Sequence, residues 1–296
     1  MASQTRRALL GTALVFACGV RPAIARAGKP LLDIPLGKDA AGRLLAPVYV
    51  NGHGPFRFML DSGASHCAVP RDLARRLALA PASTGTMSID STTGRSSTQA
   101  VAVDSLEVGS LRIERMSMPV IDAAEGIIGA NALIGTRLDV NFDTRRIVLS
   151  GGADQTAPDT RTAIPLQQRF GGLLLASGKI GTLDCSFIID TGAQRTIGNP
   201  ALAQRLNMSA AARASDPLIV ATPDAAIAAT LTLPALPIAI GAGAATTMRI
   251  ACADLPVFAL WQLTEQPAVL LGMDYFSRCA RFVIDYRHST LALRSR

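Results

Sequence analysis

Two aspartates stand in nearly identical surroundings, one in each half of the chain. Asp61 follows an apolar run and precedes Ser-Gly-Ala, and Asp190 follows an apolar run and precedes Thr-Gly-Ala. A carboxyl group at the end of a buried strand is costly to ionise alone. A sequence that builds this feature twice indicates two carboxyl groups that meet and share one proton, which is a combination suited to acid–base catalysis.

The surroundings of the two aspartates are also repeated. An ungapped alignment on Asp61 and Asp190 matches several downstream positions, and a leucine pair at helical spacing follows each aspartate. Repetition at this length indicates a duplicated unit, not a solenoid. The paired features are hairpin turns at Asn51-Gly52 and Ile180-Gly181, helices around Leu73/Leu77 and Leu202/Leu206, and the motifs Ile127-Ile128-Gly129 and Leu270-Leu271-Gly272.

The pattern predicts an all-β protein with a few short helices, made of two related lobes. The expected divisions are a leader at 1–27, a first lobe at 28–150, a linker at 151–160 and a second lobe at 161–296. Residues 151–160 are rich in Gly, Ala, Asp, Pro and Thr, which is typical of a linker.

This arrangement resembles the aspartic proteases, in particular the retropepsin-like branch written twice in one chain. The resemblance implies two pseudo-twofold-related β-barrel lobes in a pepsin-like bilobal architecture, with Asp61 and Asp190 as the catalytic pair at the lobe junction. The residues that the family would use as active-site support are Ser62, Gly63, Ile128, Gly129, Thr191, Gly192, Leu271 and Gly272. Gln194 stands where the first lobe has Ser65, so the two lobes are not equivalent.

The resemblance also implies a hairpin flap that holds an extended polypeptide substrate by strand-like hydrogen bonds. We expect the flap at 87–100, with its turn at Thr92, Thr93 and Gly94, or else an ordinary surface hairpin there. The corresponding stretch of the second lobe, 216–230, contains two prolines and no glycine, which argues against a second working flap.

The first 27 residues have the layout of an export signal. Arg6-Arg7 precede an uncharged run at 8–20, and A-x-A cleavage patterns end at Ala25 and Ala27. The pair of arginines fits a twin-arginine signal as well as an ordinary Sec signal. We therefore expect a periplasmic or secreted protein without stable membrane insertion, with lipoprotein anchoring at Cys18 as a weaker alternative because Phe16 does not fit a lipoprotein box.

Charge and composition exclude several other functions. The net charge of +7 falls to +3 without residues 1–27, aromatic residues make up 4%, and no basic run is present, so no nucleic-acid partner is expected. The sequence contains no zinc spacing, H-E-x-x-H, G-x-S-x-G or phosphate-binding glycine motif, so neither a metal nor a cofactor is expected. Four cysteines remain after the leader, and they allow three disulfide pairings or four buried thiols: Cys67, Cys185, Cys252 and Cys279.

The function expected from these features is that of a monomeric exported endopeptidase that hydrolyses peptide bonds with a water activated by Asp61 and Asp190. The alternative is a catalytically weak or inactive peptide-binding module of the cell envelope that keeps the protease fold. A structural envelope protein that uses the lobes for association is a third hypothesis.

Overall fold

A computed structural model describes residues 30–91, 94–151, 163–207, 219–222, 225–228, 231–241 and 245–296. The expected export signal and nearly all of the expected linker lie outside the described residues. No helix in the described part of the chain combines the length and the apolarity that a membrane crossing requires.

In the described residues, the first lobe contains eleven strands and two short helices. Several of its strands alternate more buried and more exposed side chains over part of their length, as strands that cover one side of a core do. Its elements are β1 (Leu32–Pro35), β2 (Gly37–Lys38), β3 (Leu44–Val50), β4 (His53–Leu60), β5 (Val69–Pro70), α1 (Arg71–Arg76), β6 (Pro81–Ser91), β7 (Gly94–Val108), β8 (Leu111–Ile121), β9 (Gly126–Ile128), α2 (Ala130–Leu133), β10 (Thr136–Asn141) and β11 (Arg146–Gly151).

The second lobe follows a similar order, but among the described residues it contains an additional helix, α4, and differs in the number of strands at its start and before β19. Its elements are β12 (Ile164–Arg169), β13 (Leu173–Ile180), β14 (Leu183–Ile189), β15 (Ile197–Gly198), α3 (Pro200–Arg205), β16 (Ile219–Thr222), β17 (Ala225–Ala228), β18 (Leu231–Ile240), β19 (Thr246–Cys252), α4 (Pro256–Leu260), β20 (Ala268–Leu271), α5 (Met273–Phe276), β21 (Cys279–Asp285) and β22 (Thr290–Ser295). The prediction of a mostly β, two-lobed protein with few short helices is confirmed.

Local sequence explains the repeated hairpins and helices. Asn51 and Gly52 both adopt positive φ, as a tight hairpin turn between β3 and β4 requires. Gly181 also adopts positive φ in the turn between β13 and β14. Asn199 caps α3 by accepting a hydrogen bond from the Leu202 N–H at 2.9 Å, and Pro200 occupies the first helical position.

Each aspartate follows a central strand that is paired in parallel with a later strand of the same lobe. β4 pairs with β9, with Leu60 opposite Ile128, and β14 pairs with β20, with Ile189 opposite Leu271. Two parallel strands reach the same edge of the sheet, so each aspartate emerges beside an apolar-apolar-Gly motif. This pairing fixes the position of both aspartates in their lobes.

A continuous sheet joins the two lobes beneath the aspartates. Strand β10 of the first lobe pairs antiparallel with its counterpart β21 of the second, with Val140 opposite Phe282. The order β1-β11-β10-β21-β22-β12 then continues into the second lobe. Because equivalent strands pair antiparallel, this sheet relates the lobes by a pseudo-twofold rotation, and one large apolar core extends through both of them.

Candidate active site

The Asp61 loop is held by backbone hydrogen bonds on both sides of the carboxyl group. The Asp61 N–H donates to the Ile128 carbonyl at 3.0 Å, which anchors the loop to β9. The Gly63 and Ala64 N–H groups both donate to Asp61 Oδ1, at 2.8 and 3.1 Å. The carboxyl group is therefore fixed by its own loop, with one oxygen directed at two backbone donors.

The Asp190 loop repeats this geometry. The Asp190 N–H donates to the Leu271 carbonyl at 3.1 Å. The Gly192 and Ala193 N–H groups each donate to Asp190 Oδ1 at 2.9 Å. The two loops thus present their carboxyl groups in the same way from opposite lobes.

The structure brings the two carboxyl groups into direct hydrogen-bond contact. Asp61 is 8% exposed and Asp190 is 6% exposed. Burial raises the pKa of Asp61, and burial together with the negative charge of Asp61 raises the pKa of Asp190 well above its usual value. The hydrogen bonds from the loop N–H groups and the positive charge of Arg43 lower the pKa of Asp61 and so partly offset the effect of burial. Two buried carboxyl groups in contact cannot both ionise easily, so the pair holds one proton over a wide pH range and titrates as a unit.

The residue two positions after each aspartate must be glycine, because the carboxyl group of the other aspartate lies against it. A Cβ atom on Gly63 would overlap the Asp190 carboxyl group, and a Cβ atom on Gly192 would overlap the Asp61 carboxyl group. Each glycine therefore allows the partner aspartate to approach, in addition to donating an N–H group to its own loop.

The hydroxyl groups of Ser62 and Thr191 connect the two loops through four hydrogen bonds. The Ser62 N–H donates to Thr191 Oγ1 and the Thr191 N–H donates to Ser62 Oγ, both at 3.0 Å. Ser62 Oγ in turn donates to the Ile189 carbonyl at 2.8 Å, and Thr191 Oγ1 donates to the Leu60 carbonyl at 2.7 Å. Both residues are fully buried, so these bonds set the distance between the loops without competition from water.

The glycines of the two apolar-apolar-Gly motifs pack directly behind the loops. A Cβ atom on Gly129 would overlap the backbone of His66, and one on Gly272 would overlap the backbone of Arg195. Each loop is also hydrogen-bonded to the first residue of the helix that follows the apolar-apolar-Gly motif. The Ala130 N–H of α2 donates to the Ala64 carbonyl and the Met273 N–H of α5 donates to the Ala193 carbonyl, each at 2.8 Å.

A hydrogen-bonded pair of side chains behind each loop was not predicted from the sequence. Cys67 uses its N–H and its thiol to donate to Asn131 Oδ1, at 2.9 and 3.1 Å. At the equivalent place in the second lobe, Thr196 Oγ1 donates to Asp274 Oδ1 at 2.6 Å and accepts from the Gly272 N–H at 3.1 Å. The alignment of the two halves could have indicated these pairs, since the four residues occupy matching positions.

The segment predicted as the flap lies in the antiparallel pair of β6 and β7. Strands β6 and β7 pair antiparallel up to Ser91 and Gly94, with Met87 opposite Thr98. The predicted tip residues Thr92 and Thr93 lie outside the described residues. In the second lobe β16 and β17 also form an antiparallel pair, within the stretch where the absence of glycine argued against a working flap.

A mostly apolar pocket opens beside Asp190, between the β6–β7 hairpin and the second lobe. Its volume is about 60 Å³. Helix α4 contacts both β6 and β7, so the second lobe meets this hairpin of the first lobe at the pocket. The pocket is lined by Gly63, Arg95, Phe170, Leu173, Ile188, Asp190, Val257, Leu260, Trp261 and Leu270.

The four cysteines after the leader are buried. Cys67, Cys185, Cys252 and Cys279 are buried and form no disulfide with one another, and burial raises the pKa values of the first three to about 12 and that of Cys279 to about 11. Within the described ranges, no group of three or more His, Cys, Asp or Glu side chains is arranged to hold a metal ion.

Two duplicated β lobes that each contribute one aspartate to a shared buried pair define the class of the bilobal aspartic proteases. A family model described as aspartyl protease matches residues 46–132 and 176–275, which together make up more than half of the chain. The chain therefore belongs to the aspartyl protease family, and the predicted resemblance is confirmed. No curated protein matches the chain.

Proposed function

We propose that the protein is an aspartic endopeptidase in which Asp61 and Asp190 form the catalytic pair at the lobe junction. The observation that carries this proposal is the direct contact of the two buried carboxyl groups, because such a pair holds one proton for general acid–base catalysis. The family match supports protease activity in general.

The mechanism follows from the shared proton. The ionised carboxyl group accepts a proton from a water molecule, whose oxygen attacks the carbonyl carbon of the scissile peptide bond. The protonated carboxyl group donates its proton to the carbonyl oxygen, giving a tetrahedral diol. In the collapse of this intermediate, the carboxylate accepts a proton from one hydroxyl group as the carbonyl re-forms, the C–N bond breaks, and the leaving nitrogen takes a proton from the other carboxyl group, so that the pair again holds one proton.

The surface between the β6–β7 hairpin and the pocket beside Asp190 favours an extended polypeptide substrate. The β6–β7 hairpin offers strand-like hydrogen bonds along a peptide, and the apolar pocket beside Asp190 receives a side chain next to the cut bond. Aromatic and aliphatic walls at Phe170, Trp261 and Leu173 favour a hydrophobic side chain there. Cleavage of a peptide library should therefore show hydrophobic residues flanking the cut bond, and a charged preference would contradict this assignment.

The decisive experiment compares cleavage by the wild type with cleavage by Asp61→Asn and Asp190→Asn between about pH 3 and pH 8. Asp184→Asn is the matched control, because its carboxyl group is exposed and pairs with Lys179 at 2.5 Å away from the aspartate pair. We expect both site variants to lose cleavage and the control to keep it, with the highest rate at mildly acidic pH. A rate still rising above about pH 8 would contradict the mechanism.

The same variants distinguish the alternative function. If the folded wild type binds an extended peptide, cleaves nothing, and keeps its affinity in both Asp→Asn variants, the protein is a peptide-binding module. Loss of a measurable cleavage activity in either variant excludes that alternative.

We further propose that the protein is exported and acts as a monomer. Residues 1–27 have the features of an export signal, and both aspartates of the pair come from one chain. Mass spectrometry of the protein from the native cell envelope should show a new N-terminus near residue 28, and light scattering should give the mass of one chain. An intact leader or a stable dimer would overturn the corresponding part of this proposal.

A further inference from the structure

A hairpin with the same tight turn precedes the aspartate strand in both lobes. In the second lobe, where β12 meets β13, the Gly172 N–H donates to the Arg169 carbonyl at 3.1 Å. In the first lobe, where β2 meets β3, the Gly42 N–H donates to the Asp39 carbonyl at 3.0 Å. Each turn has three residues between its paired ends, so the two hairpins can be compared position by position.

Strand pairing extends this comparison to the two aspartates. Leu45, two residues after Arg43, pairs with Met59, two residues before Asp61. Continued by two residues, this register places Arg43 beside Asp61, and the positive charge of Arg43 lowers the pKa of Asp61, in agreement with that position. The matching residues of the second lobe are Leu173, Leu175, Ile188 and Asp190.

The two lobes carry different side chains at these matching positions. Phe170 and Leu173 form part of the wall of the mostly apolar pocket. Their counterparts in the first lobe are Ala40 and Arg43. The first lobe therefore offers a small side chain and a positive charge where the second lobe offers an aromatic ring and an aliphatic side chain.

Arg43 is held in place by a buried partner. Asp39 Oδ1 accepts from the Arg43 N–H at 2.8 Å, and Asp39 Oδ2 accepts from Arg43 Nε at 2.5 Å. The Asp39 side chain is 6% exposed and the Arg43 side chain is 32% exposed. Within the described part of the chain, the hydrogen bonds of the guanidinium group use only Nε, so its outer N–H groups remain for a carboxylate from outside the protein. Asp39 fixes the Arg43 side chain in advance, which lowers the entropic cost of binding.

We propose that Arg43 is a specificity-determining residue that binds an acidic side chain of the peptide substrate on the Asp61 side of the cut bond. This inference deepens the proposed protease function, on which it rests for the position of the substrate. Side chains of an extended peptide alternate between two faces, so the wall that meets the residue next to the cut bond also meets the residue two positions further out. The aliphatic stem of Arg43 packs on the nearer, hydrophobic residue, and its guanidinium group pairs with a carboxylate at the third position from the cut bond.

The test is the cleavage profile of a peptide library that varies the residues on both sides of the cut bond. The wild type should favour Asp or Glu over Asn or Gln at the third position on one side, by about 10-fold or more in kcat/KM. Arg43→Leu, which copies the second lobe, should abolish this preference and leave the hydrophobic preference on the other side unchanged. Arg146→Leu is the matched control and should keep both preferences, because Arg146 also pairs with an aspartate, Asp33 at 2.5 Å, but lies on the β1–β11 strand pair.

The outcomes separate this inference from a structural role of Arg43 and from the proposed function. A wild type without an acidic preference, or a folded Arg43→Leu variant that keeps the preference, overturns the inference. Because Arg43→Leu leaves the buried Asp39 carboxylate unpaired, the double variant Asp39→Asn/Arg43→Leu must also lose the preference.

If the wild type cleaves nothing, fluorescence anisotropy of a labelled peptide and its Glu→Gln counterpart replaces the cleavage profile. Binding by the wild type that is about 10-fold tighter for the Glu peptide, with equal binding of both peptides by Arg43→Leu, supports the inference even though the protease function fails. Equal binding of both peptides by the wild type overturns it.

Discussion

The hydrogen bonds between Ser62 and Thr191 predict a specific cost for removing one hydroxyl group. In Thr191→Val the side chain keeps its shape, but the buried Ser62 N–H loses its acceptor and the buried Leu60 carbonyl loses its donor. Each buried unpartnered group costs about 1–3 kcal/mol, so the free energy of unfolding should fall by roughly 2–6 kcal/mol.

The same substitution should also reduce catalysis. The bonds of Thr191 set the separation of the two lobes' loops, and a displacement of about 1 Å at reacting groups can cost about 100-fold in rate. We expect kcat to fall by about that factor with a smaller change in KM. Cleavage rates of a peptide substrate and urea denaturation followed by circular dichroism measure both effects.

Thr136→Val provides the matched control for this prediction. Thr136 is also a buried threonine, but its hydroxyl group makes one hydrogen bond, to the Leu133 carbonyl at 2.7 Å, and lies within one lobe. It should lose about 1–2 kcal/mol and keep its activity. If Thr191→Val is no less stable than this control and cleaves at the wild-type rate, the hydroxyl contacts between the loops do not position the carboxyl groups and the reasoning is wrong.

Three further predictions concern the same site and the core around it. Gly192→Ala should lose more than about 100-fold in kcat, because the added Cβ atom displaces the Asp61 carboxyl group. Gly37→Ala is the control and should keep the wild-type kcat, because its Cβ atom meets its nearest neighbour at an ordinary 3.5 Å. Equal kcat values for the two variants would refute this reasoning. The pKa values of the aspartate pair are higher in the folded protein than the usual 3.8 of a free aspartate. The contribution of the pair to folding stability is therefore fully present below about pH 3.8 and is lost as the pH rises through the raised pKa values. Asp190→Asn should therefore gain melting temperature relative to the wild type between about pH 4 and pH 7, and a constant difference would contradict the raised pKa values. The four buried thiols should react with a disulfide reagent only after unfolding, and rapid labelling of the native protein at about pH 8 would show that they are accessible.

Sequence reasoning alone predicted the fold class and the family, and both are confirmed. The signals were local and repeated: apolar runs that end in Asp61 and Asp190, hairpin glycines, and short helices with capping residues such as Asn199. Each of these depends on residues that are close in the chain, so its pattern is readable without coordinates.

The contacts that make the two aspartates a pair were decided by the tertiary structure. Ser62 and Thr191 are 129 residues apart, and their reciprocal bonds exist only because folding brings the two aspartate loops together. The close approach of Gly63 to the Asp190 carboxyl group, where an added Cβ atom would overlap it, depends on how the lobes pack. A sequence pattern specifies which residues belong to each lobe, but the distance between side chains of different lobes is set by the shared sheet and the common core, because only long-range packing fixes that geometry.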